Sequence, residues 1–534
     1  MSGTSPLLPT RTGTPFDRLP NEILMEIFKD FWDLRLGSPW YSKPGSLAAL
    51  PLCSVSRRWR EVALAVPQLW SYIHVKTPAD IEWMTFARTR SRHHPITLSV
   101  EIPDADTLAA VLRALEDCRG LICNLSISLA DDEDGAWEDG IELAELTMGF
   151  LNAGMPALVT LAVSIPYWPE LEPPEALLML DASQVPRLRE LKVYRLQLSW
   201  MPDIFARLRK LCMGNCRGDR SLPTSEFLDV LAIAQQLEDV SMEDGMPFHN
   251  HAAVPALDKL DRPIAISNLR RLDIHDDDEF IYALLQCVRL PIGIDVDFEV
   301  YVTGTWDDKL SGLLPMSIPD DPANVHFLGT TTSASISFPV DGYGKDYADL
   351  SCDNADAGRL DITFAFFAYE EPPFMRSQCI LEDFRALFRR APLRRLSITC
   401  DFVHIPHDLW VEVFRTFPSI SELQFSGKGF PGRLLAALSA ARCTAGSAAE
   451  TLPSPPNLPN LETFTLTRFP WHRDLFGAIV RTFEGRAMAG ASRMREVHVE
   501  LRGRQQNSYL NKILRGNLAA LRKHCDVVVY KDAK

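Results

Sequence analysis

One pattern of apolar and polar residues recurs along the chain from about residue 90 onward. An apolar residue is followed after two positions by a second one and after one further position by a third. Because side chains alternate between the two faces of a strand, each occurrence predicts a strand with one buried face. The pattern recurs every 20 to 40 residues or so, at Ile122/Leu125/Ile127, Leu158/Leu161/Val163, Leu188/Leu191/Val193, Leu208/Leu211/Met213, Leu237/Val240/Met242, Leu269/Leu272/Ile274, Leu393/Leu396/Ile398, Ile420/Leu423/Phe425, Leu461/Phe464/Leu466 and Met494/Val497/Val499.

Helical stretches lie between these strands, and they predict an α/β fold of parallel strands and helices. They are Thr107–Cys118, Glu226–Ala234, Glu279–Val288, Leu381–Arg389 and Asn507–Lys523. A strand and a helix in each interval resembles an irregular leucine-rich-repeat solenoid, although the Asn or Cys usual after the strand is mostly absent. The alternative is an ordinary α/β domain with a parallel sheet. Polar residues alternate through the strands, as in RLRELKVYRLQL, and this favours the solenoid, because doubly wound sheets prefer continuous apolar runs.

Two segments interrupt the array. Residues 304–358 are rich in Gly, Pro, Asp and Ser, with only Ala334–Val340 strand-like, and we predict an irregular insertion after which repeats resume near Leu360–Phe366. Residues 444–460 have the composition of a flexible loop. The predicted organisation is therefore a disordered lead-in at 1–14, a helical module at 15–73 and the repeat array at 74–534.

The helical module carries more apolar side chains than about fifty residues can bury among themselves. Pro20 suits the first turn of a helix, and Ile23, Leu24, Ile27 and Phe28 follow at helical spacing. A Pro- and Gly-rich link, Arg35–Ser46, leads to a second helical stretch that ends before Pro67. These side chains pack either on the rest of the chain or on a partner.

The residue order in this module resembles the F-box. Leu19-Pro20-x-Glu22-Ile23-Leu24-x-x-Ile27-Phe28 is followed by Val55-Ser56-x-x-Trp59-Arg60. The tail Ala63–Trp70 is similar to the continuation common in fungal F-box proteins. The resemblance covers roughly residues 13–73, and Arg35–Ser46 departs from it by being longer than the usual link.

The resemblance implies a partner and the surface that binds it. F-box helices bind a Skp-type adaptor, which tethers them to a cullin-based ubiquitin ligase. Apolar anchors on a charge-poor face are the usual energetic centre of such an interface. Carried over by position, the adaptor-binding residues are Leu19, Pro20, Ile23, Leu24, Ile27 and Phe28 of the first helix, with Val55 and Trp59 supporting or joining them.

Composition narrows the class of protein further. A formal net charge of -15 argues against a nucleic-acid surface, which needs clustered Lys and Arg. No run approaches the roughly 18 apolar residues of a membrane helix. The N-terminus has no apolar core of signal-peptide length, and the eleven cysteines include no CxxC pair. We expect a cytoplasmic or nuclear protein with reduced thiols.

The sequence offers little support for catalysis. Gly427–Gly432 matches GxGxxG after a strand and before a helical segment. Pro431, however, removes a backbone N–H where a pyrophosphate would need one, and no acidic residue ends a second strand about twenty residues on. The acidic runs Asp131–Gly135 and Asp276–Glu279 lack the ligand spacing of a calcium loop. We predict no catalytic residue, no metal and no cofactor.

The outward side chains of the strands are the predicted target-binding residues. With Leu191 and Val193 directed inward, the strand parity directs their neighbours outward. By the same parity, the set is Lys192, Tyr194, Glu243, Asp273, His275 and His498. We therefore expect a non-catalytic substrate receptor of a ubiquitin ligase that binds an unidentified protein. The alternatives are an interaction scaffold without a ligase role and a nucleotide-dependent enzyme using Gly427–Gly432.

Overall fold

The structure is a computed structural model, and it describes residues 19–36, 49–102, 105–129, 139–164, 177–198, 202–214, 224–243, 264–302, 329–338, 346–354, 358–366, 373–439, 457–502 and 508–533. The predicted lead-in 1–14 lies outside these residues, as do most of the link Arg35–Ser46 and most of the loop 444–460.

Helices and strands alternate along the described chain. The helices are α1 (Asn21–Leu36), α2 (Leu50–Val55), α3 (Arg57–Ala65), α4 (Asp80–Ser91), α5 (Ala105–Ala114), α6 (Asp139–Asn152), α7 (Pro202–Phe205), α8 (Thr224–Ile233), α9 (Asp278–Cys287), α10 (Pro373–Leu387), α11 (His407–Thr416), α12 (Gly432–Ser439), α13 (Leu475–Met488) and α14 (Ser508–Leu521), with 3-10 turns at Pro67–Trp70 and Glu116–Leu121.

The strands are β1 (Tyr72–Val75), β2 (Ile96–Ile102), β3 (Ile122–Leu129), β4 (Thr160–Ser164), β5 (Leu177–Leu178), β6 (Glu190–Tyr194), β7 (Gln197–Leu198), β8 (Lys210–Gly214), β9 (Asp239–Glu243), β10 (Ile264–Ala265), β11 (Arg271–Asp277), β12 (Val288–Arg289), β13 (Asp295–Val302), β14 (Ser333–Ser337), β15 (Asp346–Asn354), β16 (Gly358–Phe366), β17 (Arg395–Asp401), β18 (Glu422–Lys428), β19 (Thr463–Pro470), β20 (Met494–Arg502) and β21 (Cys525–Ala533).

The chain divides into two compact units, Met1–Ser221 and Leu222–Lys534. In the first unit, β1, β2, β3, β4, β6 and β8 pair in that order, and every pair is parallel. The short strands β5 and β7 form a separate parallel pair. Each main strand therefore lies beside the one that precedes it in the sequence.

The second unit repeats this arrangement with one interruption. Its strands pair in the order β9, β11, β13, β16, β15, β14, β17, β18, β19, β20, β21. All these pairs are parallel except those of β15, which is antiparallel to both of its neighbours. The segment predicted as an irregular insertion thus supplies two strands, β14 and β15, to the middle of the sheet.

At seven of the described strand entries, the register is held by one backbone carbonyl that accepts two N–H groups. The carbonyl of Val159 accepts the N–H groups of Arg189 (2.8 Å) and Glu190 (3.0 Å). The carbonyl of Glu462 likewise accepts from Arg495 (2.9 Å) and Glu496 (3.1 Å). The same paired bonds are accepted by the carbonyls of Arg189, Glu238, Thr332, Arg394 and Ser421. Two donors on one acceptor hold a strand pair in a single register.

A short turn precedes most of these entries and explains the first apolar residue of the sequence pattern. The N–H of Leu188 binds the carbonyl of Val185 at 3.1 Å, and the N–H of Leu208 binds that of Phe205 at 3.2 Å. Both partners of each turn are buried. The turn directs an apolar side chain into the interior just before the strand begins.

Helices cover one face of the sheet and leave the other accessible. Along β6, Leu191 and Val193 are fully buried, whereas the alternate residues are partly exposed. In the second unit, Trp410 of α11 stacks on Phe402 (ring centroids 5.9 Å apart) and meets Phe425 of β18 edge-on (5.8 Å). Successive helices α10 to α14 contact one another in chain order. The core therefore lies between one helical layer and one sheet.

The predicted solenoid is not confirmed. The described residues show a mixed α/β fold with a large, mostly parallel sheet, and no solenoid is detected among them. The antiparallel strand β15 breaks the sequence of one parallel strand and one helix per repeat. A regular repeat would require every strand to run in the same direction.

We predict that the paired strand-entry bonds contribute measurably to stability. Glu462→Pro removes the N–H that Glu462 donates to the carbonyl of Ser421 at 2.8 Å. The Ser421 carbonyl keeps the bond from Thr463 at 2.9 Å, so the loss is that of one net hydrogen bond, about 0.5–1.5 kcal/mol. Urea unfolding should show a corresponding fall in the free energy of unfolding. Glu462→Ala keeps the N–H and should behave like wild type; equal loss in both variants would contradict the prediction.

Candidate functional site

The helical module is closed by polar contacts between its first and third helices. Leu24 donates its N–H to the carbonyl of Pro20 at 3.2 Å, so Pro20 immediately precedes α1 and caps its first turn. Arg58 of α3 donates from Nε (3.0 Å) and Nη2 (2.9 Å) to Oδ1 of Asn21 and also binds the carbonyl of Leu19. Arg58 thereby fixes the start of α1 against α3.

Ser56 forms the corner between α2 and α3. Its backbone is extended (φ -156°), and its hydroxyl accepts the N–H of Trp59 at 3.1 Å. This is the N-cap bond that satisfies an otherwise unpaired donor in the first turn of a helix. Arg60 donates from Nε to the carbonyl of Cys53 at 3.0 Å, near the end of α2. The sequence Val55-Ser56-x-x-Trp59-Arg60 therefore forms and stabilises the corner between α2 and α3.

The interior of the module is small and aromatic. Leu24 and Phe28 are fully buried, and the Phe28 ring lies 5.0 Å from that of Trp59, centroid to centroid. Trp70 is 2% exposed and donates its indole N–H to the carbonyl of Ala63 at 2.9 Å. Because the Trp70 ring also contacts those of Trp83 and Phe86, it joins the module to α4 of the same unit.

Four aliphatic side chains are exposed among the described residues of the module. Ile23 and Ile27 are 46% and 39% exposed, and they lie one above the other on α1 because they are four residues apart. Leu50 and Val55, at the two ends of α2, are 40% and 59% exposed. We call these four residues the apolar face. An exposed set of this kind indicates an interaction surface.

The structure separates the predicted adaptor-binding residues into two groups. Ile23, Ile27 and Val55 are exposed, and so is Pro20. Leu24 and Phe28 are at 0% exposure, so their side chains support α1 from inside, and a direct contact of either with an adaptor stays a prediction. Leu19 and Trp59 are partly exposed, and Leu50 was missed. The apolar stripe of α1 is wider than one side chain, so its spacing in the sequence does not tell which of its residues are buried and which are exposed.

The predicted target-binding residues all lie on the accessible sheet faces, but in different units. Lys192 and Tyr194 are partly exposed on β6 of the first unit. The Tyr194 ring lies over Gly214 of the adjacent strand, where an added Cβ would come within 2.4 Å of it. In the second unit, His498 lies on β20, where its Nε2 is 2.7 Å from Oε1 of Glu496.

Three of these residues are brought together in the second unit. His275 is opposite Glu243 in the register of β9 and β11. Its Nε2 is 3.0 Å from Oδ1 of Asp273, and its Nδ1 is 3.4 Å from Oε2 of Glu299. Arg271 binds the other Asp273 oxygen at 3.2 Å. The imidazole is thus surrounded by carboxylates.

Carboxylates extend across the neighbouring strands as well. Asp297 is opposite both Asp273 and Asp361 in the register, and Asp349 of β15 accepts a bond from Thr363 at 3.0 Å. The acidic zone comprises Glu243, Asp273, Asp297, Glu299, Asp349 and Asp361, with Arg271 and Arg359 as its cations. Sequence analysis missed Asp297 and Glu299 because DVDFEVYV lacks the preceding apolar residue of the pattern.

Electrostatic coupling is strong within the acidic zone. The hydrogen bond with Asp273 raises the pKa of His275, and the same bond lowers the pKa of Asp273. Burial, together with the charges of Asp273 and Asp361, raises the pKa of Asp297. A cationic partner would relieve this repulsion.

The glycine-rich loop has a structural explanation. Gly427 lies within β18 at φ +151°, and a Cβ there would come within 1.9 Å of the carbonyl oxygen of Cys400 on β17. Gly429 is at φ +77°, in the region that favours glycine. The predicted alternative of a nucleotide site therefore gains no support from these glycines.

The described residues were compared with the requirements of a metal site and of a membrane-spanning helix. Within them, no group of three or more His, Cys, Asp or Glu side chains is arranged to hold a metal ion. None of the described helices combines the length and apolar character that crossing a membrane requires. The acidic run Asp131–Gly135 lies outside the described residues.

We predict that Asp273→Asn lowers the pKa of His275. The folded-state pKa of His275 lies above its unfolded value, so its contribution to stability is complete below the unfolded pKa and is lost as the pH rises through the folded pKa. NMR titration with labelled histidine, assigned with His275→Gln, measures the change. Asp353→Asn, an exposed carboxylate on β15 at the far end from Asp349, is the control; an unchanged His275 titration in Asp273→Asn would contradict the assignment.

Comparison with known families identifies the module but not the remainder. No match is found among curated proteins. Residues 16–76 match the family model described as F-box-like, and this range contains α1, α2, α3 and the turn carrying Trp70. F-box domains bind Skp-type adaptors, and proteins that carry them are typically non-catalytic. The N-terminal module is accordingly F-box-like, which suggests an adaptor-binding role in a ubiquitin ligase.

Proposed function

We propose that this chain is a substrate receptor of a Skp–cullin–F-box ubiquitin ligase. The apolar face of the module binds the Skp-type adaptor, the adaptor links the chain to a cullin, and the accessible sheet face holds a protein target. The observation that carries the proposal is the exposure of Ile23, Ile27, Leu50 and Val55 on a module that matches the F-box-like family model.

The physical reason lies in how the module divides its apolar residues. Leu24 and Phe28 fill the interior of the module. The exposed aliphatic residues therefore have no packing role within the described structure. Burying a fully exposed aliphatic side chain in an interface contributes about 1.5–3 kcal/mol. The bonds made by Arg58 and Ser56 hold the helices that present these residues, so little ordering is required on binding.

Such a receptor acts by proximity. It holds a target lysine near the charged ubiquitin-conjugating enzyme and thereby raises the effective concentration of the two reactants. No group of this chain needs to take part in the chemistry. The cytosol and the nucleus, where such ligases operate, are the proposed locations.

The acidic zone is the proposed contact for the target. Six carboxylates are accompanied by two arginines on one sheet face, and the pKa of Asp297 is raised although the charges of His275 and Arg271 partly offset the repulsion. Complementary charge speeds association and excludes wrong partners. We therefore expect a target segment that carries Lys or Arg. Tyr194, in the first unit, is a separate predicted contact through its ring and hydroxyl.

The adaptor prediction is that Ile23→Asp combined with Ile27→Asp abolishes co-purification with a Skp-type adaptor and cullin. Truncating central anchors typically costs about 2 kcal/mol or more each, and a buried unpaired carboxylate adds to the loss. The control is Met179→Asp, an equally exposed apolar residue of the first unit outside the matched segment. Undiminished co-purification of the double variant would contradict the adaptor interface, and retention of the adaptor without cullin would favour a scaffold.

The target prediction is tested by proximity labelling with the intact chain and with the adaptor-deficient variant. Partners that both retain are target candidates. For these, Asp273→Lys with Glu299→Lys should weaken binding at least about tenfold, a difference of about 1.4 kcal/mol. Tyr194→Ala is assayed separately, and Ile292→Asp, which is 72% exposed and outside the strands, is the control. Unchanged binding by a folded Asp273/Glu299 variant would place recognition elsewhere.

A further inference from the structure

A cavity of about 150 Å³ lies at the strand-entry edge of the second unit, away from the acidic zone. It forms where the end of α13, the turn leading to β20 and the turn leading to β21 converge. Its polar lining consists of Arg486, Ser492, Arg493, Lys523 and His524, over an apolar wall that includes Phe483. No acidic side chain lines it.

Arg486 places a positive charge beside this cavity that has no carboxylate partner among the described residues. The residue is 2% exposed, and its guanidinium binds only carbonyl oxygens: Nη1 donates to Leu438 (3.3 Å) and Asn457 (2.5 Å), and Nη2 donates to Leu458 (2.8 Å). Among the described residues no carboxylate pairs with it, and its Nε–H makes no hydrogen bond. Burial lowers the pKa of Arg486 to about 10. A buried charge without a counter-ion is costly unless an anion approaches it.

The remaining cations of the cavity are only partly engaged. Arg493 donates from Nη2 to the carbonyls of Arg522 and Cys525, both at 3.1 Å, and its Nε pairs with Oδ1 of Asp526 at 2.8 Å. Asp526 is 62% exposed at its side chain, so solvent screens that pair. Lys523 is exposed and makes no ion pair within the described chain. Its ammonium is therefore available to a ligand.

We infer that this cavity is a binding site for a phosphate-type oxyanion, either free or on a phosphorylated side chain. Arg486 Nε–H and the Ser492 hydroxyl supply directed donors, and Lys523 and Arg493 supply charge at the entrance. Charge-assisted bonds from Arg and Lys to phosphate oxygens are stronger than neutral ones and match this donor set. The site would be independent of the proposed ligase role, because it lies neither in the F-box-like module nor on the acidic zone.

The test is titration calorimetry on the intact chain with two probes, inorganic phosphate and a short peptide containing one phosphoserine. The unphosphorylated peptide and matched chloride serve as blanks. We expect saturable binding of at least one probe at pH 7, where a phosphoserine side chain is largely dianionic. Tenfold tighter binding of the phosphopeptide identifies a modified side chain as the source; equal or stronger binding of inorganic phosphate identifies the free ion.

Lys523→Glu should reduce that affinity at least about tenfold, because it places a carboxylate at the entrance. Lys512→Glu, an equally exposed lysine on α14 outside the cavity, should leave it unchanged. Both positions are on the surface, so thermal melts should match wild type and separate binding from folding. Absence of saturable binding by either probe, or equal affinity of Lys523→Glu and wild type, would overturn the site.

Discussion

The carbonyl shared by two N–H groups at seven strand entries is the constraint on which the register of the sheet most depends. When one acceptor holds the N–H groups of two consecutive residues, as Glu238 holds those of Arg270 and Arg271, the next strand cannot slip by a residue. A slip of one would exchange the buried and exposed faces of the strand. The register therefore determines both the core and the accessible face. In this register His275 of β11 lies beside Glu243 of β9 and Glu299 of β13.

In the F-box-like module, side chains rather than backbone groups fix the positions of the helices. Ser56 fixes a corner, Arg58 fixes the start of α1, and Phe28 and Trp59 fill the small interior. Because these rings fill the interior, the side chains of Ile23 and Ile27 lie on the surface of the module. The exposed apolar surface thus follows from a module too small to bury its own residues, and a partner is the remaining way to remove that surface from water.

The sequence predicts the elements that local patterns determine. It does not predict the features that depend on contacts between distant residues. Strands such as β6 and β18 were predictable because a buried pair of alternate residues follows a buried turn residue. Strand β15 was not, because DYADLSCDN is mostly polar and its antiparallel direction depends on pairing with distant β14 and β16. The burial of Leu24 beside exposed Ile23 depends on where α3 lies. The burial of Arg486 could not be predicted from the sequence, because its carbonyl partners lie 28 to 48 residues away.

Hydrogen–deuterium exchange of the intact chain, alone and with a Skp-type adaptor, tests the central claim most directly. Adaptor binding should slow amide exchange across Asn21–Leu36 and Leu50–Ala65, the three helices that carry and support the apolar face. Strands β17 to β19 of the second unit should exchange at unchanged rates. Unchanged exchange in the three helices at saturating adaptor, or protection confined to the sheet, would contradict the account.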